Sequence, residues 1–130
     1  MEVFLLSSYN HFDVISKYNS HYDMLGIKIT DDYEYEQSVE MRDGVIVDFD
    51  SENKPVAVQI IGASALFKIP KPSLHDIPLI DMKIKISENS ICLALTIGVQ
   101  VHNKKLEQSF NSLVANDSGF PNFEAELATA

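Results

Sequence analysis

The sequence has no tryptophan, a single cysteine and only five glycines in 130 residues. The lone Cys92 excludes an internal disulfide and fits a reducing compartment. The scattered glycines form no phosphate-cradling loop, so a nucleotide is not indicated. Four histidines, His11, His21, His75 and His102, show no pair at ligand spacing and stand near no cysteine cluster, which argues against a zinc site. No run approaches the ~18 apolar residues needed to cross a bilayer. The opening Met1-Glu2-Val3-Phe4-Leu5-Leu6 carries an acid where a secretory signal carries a base. Without such a signal the glycosylation sequon Asn116-Asp117-Ser118 has no consequence. These absences point to a cytoplasmic protein with no cofactor, no metal and no visible catalytic residue, and an enzyme is the less favoured reading.

Basic residues are scarce where acidic ones crowd. The net charge is −9, and almost all of it sits in residues 31–52, which hold nine acids and only Arg42. Residues 53–130 hold seven of each sign. Binding to phosphates rests on Lys and Arg, so nucleic acid is excluded as a partner of that region. An anionic membrane surface is disfavoured for the same reason.

What the chain does have is alternation. Val45, Val47 and Phe49 alternate with Ile46 and Asp48, the period of a strand with one buried face. Asp50-Ser51-Glu52-Asn53 reads as a turn. Val56, Val58 and Ile60 then resume against Ala57, Gln59 and Ile61, with Pro55 at the start of the strand, where a missing N–H is tolerated. Both faces of this return strand are largely apolar, which predicts a central strand covered on both sides.

This stretch resembles the domain-of-unknown-function family 2283. The family's pattern of an aspartate-rich strand, a D-x-D turn, a lysine and then V-G-I-E-I-L-D-A-S is similar to Asp48-Phe49-Asp50, Lys54 and Val56-Ala57-Val58-Gln59-Ile60-Ile61-Gly62-Ala63-Ser64. Its opening tyrosine, polar turn, aspartate and apolar strand are similar to Tyr18-Asn19-Ser20-His21-Tyr22-Asp23-Met24-Leu25-Gly26-Ile27. Gln59 stands where the family has glutamate, Gly62 where it has aspartate, Asn53 where it has its turn glycine and Gly26 where it has tyrosine. The resemblance implies an interaction role, of the kind played by the partner half of a toxin–antitoxin pair.

The remaining segments complete a mainly β expectation: a small, largely antiparallel sheet domain, sandwich or meander, with at most one or two short helices. Residues 1–6 read as a short strand or a loose end, 7–11 as loop, 14–18 as a short strand and 23–29 as a strand with Leu25, Ile27 and Ile29 on one face. Residues 65–67 suggest one helical turn, and 71–78 a proline-bounded connector. In 79–86, Met82, Ile84 and Ile86 face in while Asp81, Lys83 and Lys85 face out. Residues 91–101 form the strongest strand, with a large apolar face opposite a face of small residues, Cys92, Ala94, Thr96, Gly98 and Gln100. That small face invites a second layer, and Gly98 suggests a bulge. In residues 104–115, Leu106, Phe110, Leu113 and Val114 fit a helix, with Asn103 as its cap, while Leu106, Phe110 and Val114 also fit a strand; the length favours helix. Residues 116–121 read as loop and 123–127 as a last strand. The expected organisation is one domain, residues 1–130, in which parts 1–70 and 78–130 share a core and the central hairpin stacks beside the 79–101 strand pair.

Two stretches offer a site. In the acidic tract, Asp32, Glu34 and Glu36 alternate with Tyr33 and Tyr35, so a strand there would show carboxylates on one face and tyrosine rings on the other. Charge runs usually face water and guard sheet edges; the functional reading is a docking surface for a basic protein partner, with the tyrosines as anchors, or for self-association. At the hairpin, Asp48, Asp50 and Glu52 share the D-x-D-x-E start of a calcium loop, but Asn53 and Gln59 occupy its glycine and glutamate positions. An exposed tip with carboxylates bonded to backbone amides is the commoner outcome, and a small-molecule or cation site the alternative. The leading expectation is a non-enzymatic interaction module.

Overall fold

A computed structural model describes residues 9–129; the expected first strand or loose end at residues 1–6 lies outside them. Among these residues nine strands run in chain order: β1 (Tyr9–Asn19), β2 (Met24–Ile29), β3 (Tyr35–Glu40), β4 (Val45–Asp50), β5 (Pro55–Ile61), β6 (Leu79–Ile86), β7 (Ser90–Val101), β8 (Lys104–Ala115) and β9 (Phe123–Ala128). A one-turn helix α1 (Ala63–Phe67) and a 3-10 turn (Lys71–His75) lie between β5 and β6. The strands form one curled mixed sheet in the order β3-β4-β5-β2-β1-β9-β6-β7-β8. Every neighbouring pair is antiparallel except β1 and β9, which run parallel.

β1 joins the two halves. Its first part, Tyr9 to Asp13, pairs with Glu124 to Ala128 of β9, and its second, Val14 to Asn19, pairs with β2. A strand that changes partner in mid-course makes a corner, and the apolar faces on either side of this one close on each other. Leu25, Val47, Phe49, Val58 and Ile60 from one half join Met82, Ile84, Leu93, Leu95 and Leu127 from the other in one buried cluster. The Phe49 ring stacks on Phe120, in the loop before β9, with centroids 4.0 Å apart. The two helical turns contribute Phe67 and Leu74. Each large side chain buried in this way stabilises the fold by ~1.5–3 kcal/mol.

The expected strands at 23–29, 45–49, 55–61, 79–86 and 91–101 form, with the predicted residues inward, and Asp50, expected in the turn, ends β4. Several expectations do not hold. Residues 104–115 are strand β8, not helix. His102 and Asn103 both adopt positive φ, 51° and 64°, and make a two-residue turn that pairs Val101 directly with Lys104. That is the geometry of a hairpin with a primed turn, so Asn103 turns the chain instead of capping a helix. Tyr9 to His11, expected as loop, belong to β1 because β9 supplies their ladder. β5 is interior to the sheet, and its outer face is covered only in part: Pro55 and Ala57 are buried, but Gln59 is exposed and Ile61 is 48% exposed. Likewise Ala94 and Gln100 on the small face of β7 stay exposed and Cys92 is only half-buried. The register of β7 is continuous through Gly98 on both sides, so there is no bulge; a Cβ there would lie 3.1 Å from the Leu79 Cβ. The β4–β5 hairpin is not beside β6–β7, because β2, β1 and β9 intervene.

Two substitutions test this packing. Gly44 has φ +80°, and an added Cβ would lie 2.9 Å from the Ile61 carbonyl oxygen. Gly44→Ala should therefore cost about 2 kcal/mol or more in urea unfolding. Ser112 is buried on the inward face of β8, and its Oγ has no partner among the described residues. Ser112→Ala should leave stability unchanged or raise it by up to about 1 kcal/mol, because an unpaired buried hydroxyl is removed.

Candidate functional site

Among the described residues, β3 pairs with β4 alone and forms one edge of the sheet, and the acidic tract lies along it. β3 is exposed at every position except half-buried Val39. Asp32 and Glu34 precede the strand, and a register shift between Tyr35 and Gln37 leaves Glu36 as an extra residue. The expected alternation on one strand therefore does not form. Asp32, Glu34 and Glu36 are all exposed, but Tyr33 turns onto the outer face of the sheet and is half-buried. Tyr35 is 58% exposed, with its hydroxyl 2.7 Å from the Ser38 Oγ.

At the hairpin the three predicted carboxylates have different surroundings. Asp48 is only 6% exposed although it lies on the outer face. Its Oδ1 accepts from the Ser38 hydroxyl at 2.6 Å and its Oδ2 from the Gln59 amide at 2.9 Å. Asp50 caps the turn: its Oδ1 accepts from the backbone N–H groups of Glu52 and Lys54 at 3.0 and 2.9 Å. Glu52 is exposed, 3.4 Å from the Lys54 ammonium. Among the described residues, no group of three or more His, Cys, Asp or Glu side chains is placed to hold a metal ion.

A polar cluster that the sequence reading did not single out lies where α1 begins. Asp23 adopts φ 51°, and its carbonyl accepts from the N–H groups of Gly62 and Ala63. Its Oδ1 accepts from the Tyr18 hydroxyl at 2.5 Å and the Ser64 N–H at 3.0 Å, and its Oδ2 from the Ser64 hydroxyl at 2.6 Å. Burial pushes the Asp23 carboxyl up, but the bonds from Ser64 and Tyr18 and the nearby Lys71 charge outweigh it and hold the group below its ordinary value. The Tyr18 phenol is pushed up to about 12, by burial first and then by Asp23. The Tyr18 ring meets His75 edge-on at 5.0 Å. Ser64 gives its proton to a carboxylate, and His75 meets the tyrosine, so this is not a nucleophile–base–orienter set. It is a clasp that ties the β1–β2 turn to the end of β5.

A second cluster crosses the outer face at β1, β9 and β6. Burial raises Asp81, and the neighbouring Glu126 raises it further; Glu126 is held low by the Asp81 hydrogen bond. Among the described residues, Asp81 Oδ1 is buried with no hydrogen-bond partner. The His11 ring lies 3.3 Å from Glu126 and 3.6 Å from Asp13.

Residues 16–64 match the family described as protein of unknown function (DUF2283). The match begins just before Tyr18 and ends on Ser64, so all three members of the clasp fall inside it. A protein of Methanosarcina mazei named "Putative hypoxanthine phosphoribosyltransferase" is 29% identical over 87 residues, covering 67% of this chain and 70% of the relative. No solved structure matches the chain. Among the described residues, no helix is long and apolar enough to cross a membrane.

The lowered Asp23 pKa means that its contribution is complete above the ordinary value of 3.8 and is lost as pH falls through the folded value. Asp23→Asn should cost about 2 kcal/mol at neutral pH, with the gap from wild type narrowing below pH ~4 in acid-unfolding curves. Asp81 has the opposite sign: its raised pKa favours folding below 3.8 and opposes it as pH rises through the folded value. Asp81→Asn, which supplies an N–H to Glu126, should raise neutral-pH stability by about 1 kcal/mol.

Proposed function

We propose that the protein is a non-enzymatic interaction module that receives a basic protein partner along the β3 edge. The observation that carries this reading is the coincidence of a free sheet edge with the acidic tract. Among the described residues, β3 has its backbone groups bonded on one side only, and the exposed Asp32, Glu34 and Glu36 stand at its start. An extended segment adding to such an edge gains main-chain hydrogen bonds. The carboxylates select a cationic segment and repel another acidic one. Self-association through two β3 edges would bring like charges together, so a basic partner fits this edge better than a second copy. Tyr35 is exposed beside the carboxylates and supplies an amphipathic anchor. The partner half of a two-protein pair is a role of this kind, and a cytoplasmic location suits it.

The test is affinity capture of the tagged protein from its host, followed by reconstitution of any stoichiometric basic protein with purified wild-type chain and with Asp32→Lys/Glu34→Lys/Glu36→Lys. The triple variant should bind at least ~10-fold more weakly, and salt should weaken the wild type by slowing association. Equal binding by both would remove this reading. The relative's name points to hypoxanthine, so the same preparation is also titrated with that base; specific binding of it would favour a small-molecule role over the interaction reading.

A further inference from the structure

The outer face of β1, β2, β5 and β4 holds an open trough of about 470 Å³, lined by Ile15, Lys17, Gly26, Lys28, Tyr33, Asp48, Ala57 and Gln59 among others. Its origin is in the register. Across the sheet, Ile15 faces Lys28, Lys28 faces Ala57, Ala57 faces Asp48 and Asp48 faces Ser38. In the next row Lys17 faces Gly26, and Gly26 faces Gln59. Two small residues, Ala57 and Gly26, thus form a floor between a cationic side and an anionic one. Lys28 and Asp48 stand two strands apart, or about 10 Å at the usual inter-strand spacing.

Asp48 is the unusual member. It is nine-tenths buried, and among the described residues no cation pairs with it. Its two hydrogen bonds come from neutral groups, Ser38 and Gln59, whereas a carboxylate has room for about four. Buried charges are normally paired. Tyr33 lies close enough for the Asp48 charge to raise its pKa, after burial, and its ring is a suitable face for a cation. Lys17 and Lys28 are exposed on the opposite side.

We propose that this trough binds a small zwitterion of amino-acid size, with a guanidinium or ammonium end at Asp48 and Tyr33 and a carboxylate end at Lys17 and Lys28. The floor accommodates the aliphatic chain between them. This site stands whether or not β3 receives a partner, since no residue of the exposed acidic tract other than Tyr33 lines it.

Gly26 makes the test clean. It lies outside the left-handed region, and an added Cβ would meet nothing nearer than the Lys17 carbonyl oxygen at 3.8 Å. Gly26→Val therefore fills the floor without backbone strain, and valine suits a strand. The experiment is an amide-resolved NMR titration of the whole chain with L-arginine, and with agmatine, which lacks the carboxylate. Saturable shifts should centre on Gly26, Ala57 and Gln59, with agmatine at least ~5-fold weaker. Gly26→Val and Asp48→Asn should each weaken arginine by ~10-fold or more, the valine variant keeping its urea midpoint. Non-saturating shifts confined to the acidic tract, or equal binding by wild type and Gly26→Val, would overturn the site.

Discussion

The fold depends on β1 serving two partners. Five of its residues pair in parallel with β9 and the next six pair antiparallel with β2. Without that strand the β3-β4-β5-β2 and β9-β6-β7-β8 sets would be separate sheets, each with one apolar face to hide. The parallel pairing of β1 with β9 also joins the start of the described chain to its end. It therefore closes the longest loop among the described residues, at an entropic cost that the shared core repays. The Asp23 clasp serves the same architecture locally. It fixes the turn that follows β1 and the start of α1, where the chain leaves one half of the sheet for the other.

Alternation was legible because it is strict where one face is buried. Val45, Val47 and Phe49, or Met82, Ile84 and Ile86, admit no other pattern. β8 was not legible in the same way. Leu106, Phe110 and Val114 recur every four residues, a spacing that fits both periods, and polar Gln108 and Ser112 occupy the intervening inward positions at a sheet edge. The deciding signal was the pair His102-Asn103, whose backbone turns β7 straight into β8. The outer faces are harder to read: Ile61 and the small residues of β7 suggest covering layers, but sheet closure buries the inward side throughout and the outer side only in places such as Asp48 and Ala57.

The clasp was hidden for a different reason. Tyr18 and Asp23 belong to the family-like opening and Ser64 to its close, and Asp23 and Ser64 are forty-one positions apart. Only the pairing of β2 with β5, Met24 against Ile61, brings them together. Asp48 likewise begins a D-x-D-x-E spacing in the sequence, whereas its neighbours in the fold, Ala57 and Ser38, lie across the sheet in a register that no local pattern displays. The acidic tract of the sequence, by contrast, lies at an edge of the sheet, with Asp32, Glu34 and Glu36 exposed.

The measurement that bears most directly on this account is native-state amide hydrogen exchange along β1. If β1 is the seam, the amides of Phe12, Ile15 and Lys17 exchange only with global unfolding, at the same free energy as the central amides of β5 and β7. Early exchange of β1 while β5 and β7 stay protected would mean that the two halves hold together by other means, and would contradict the account.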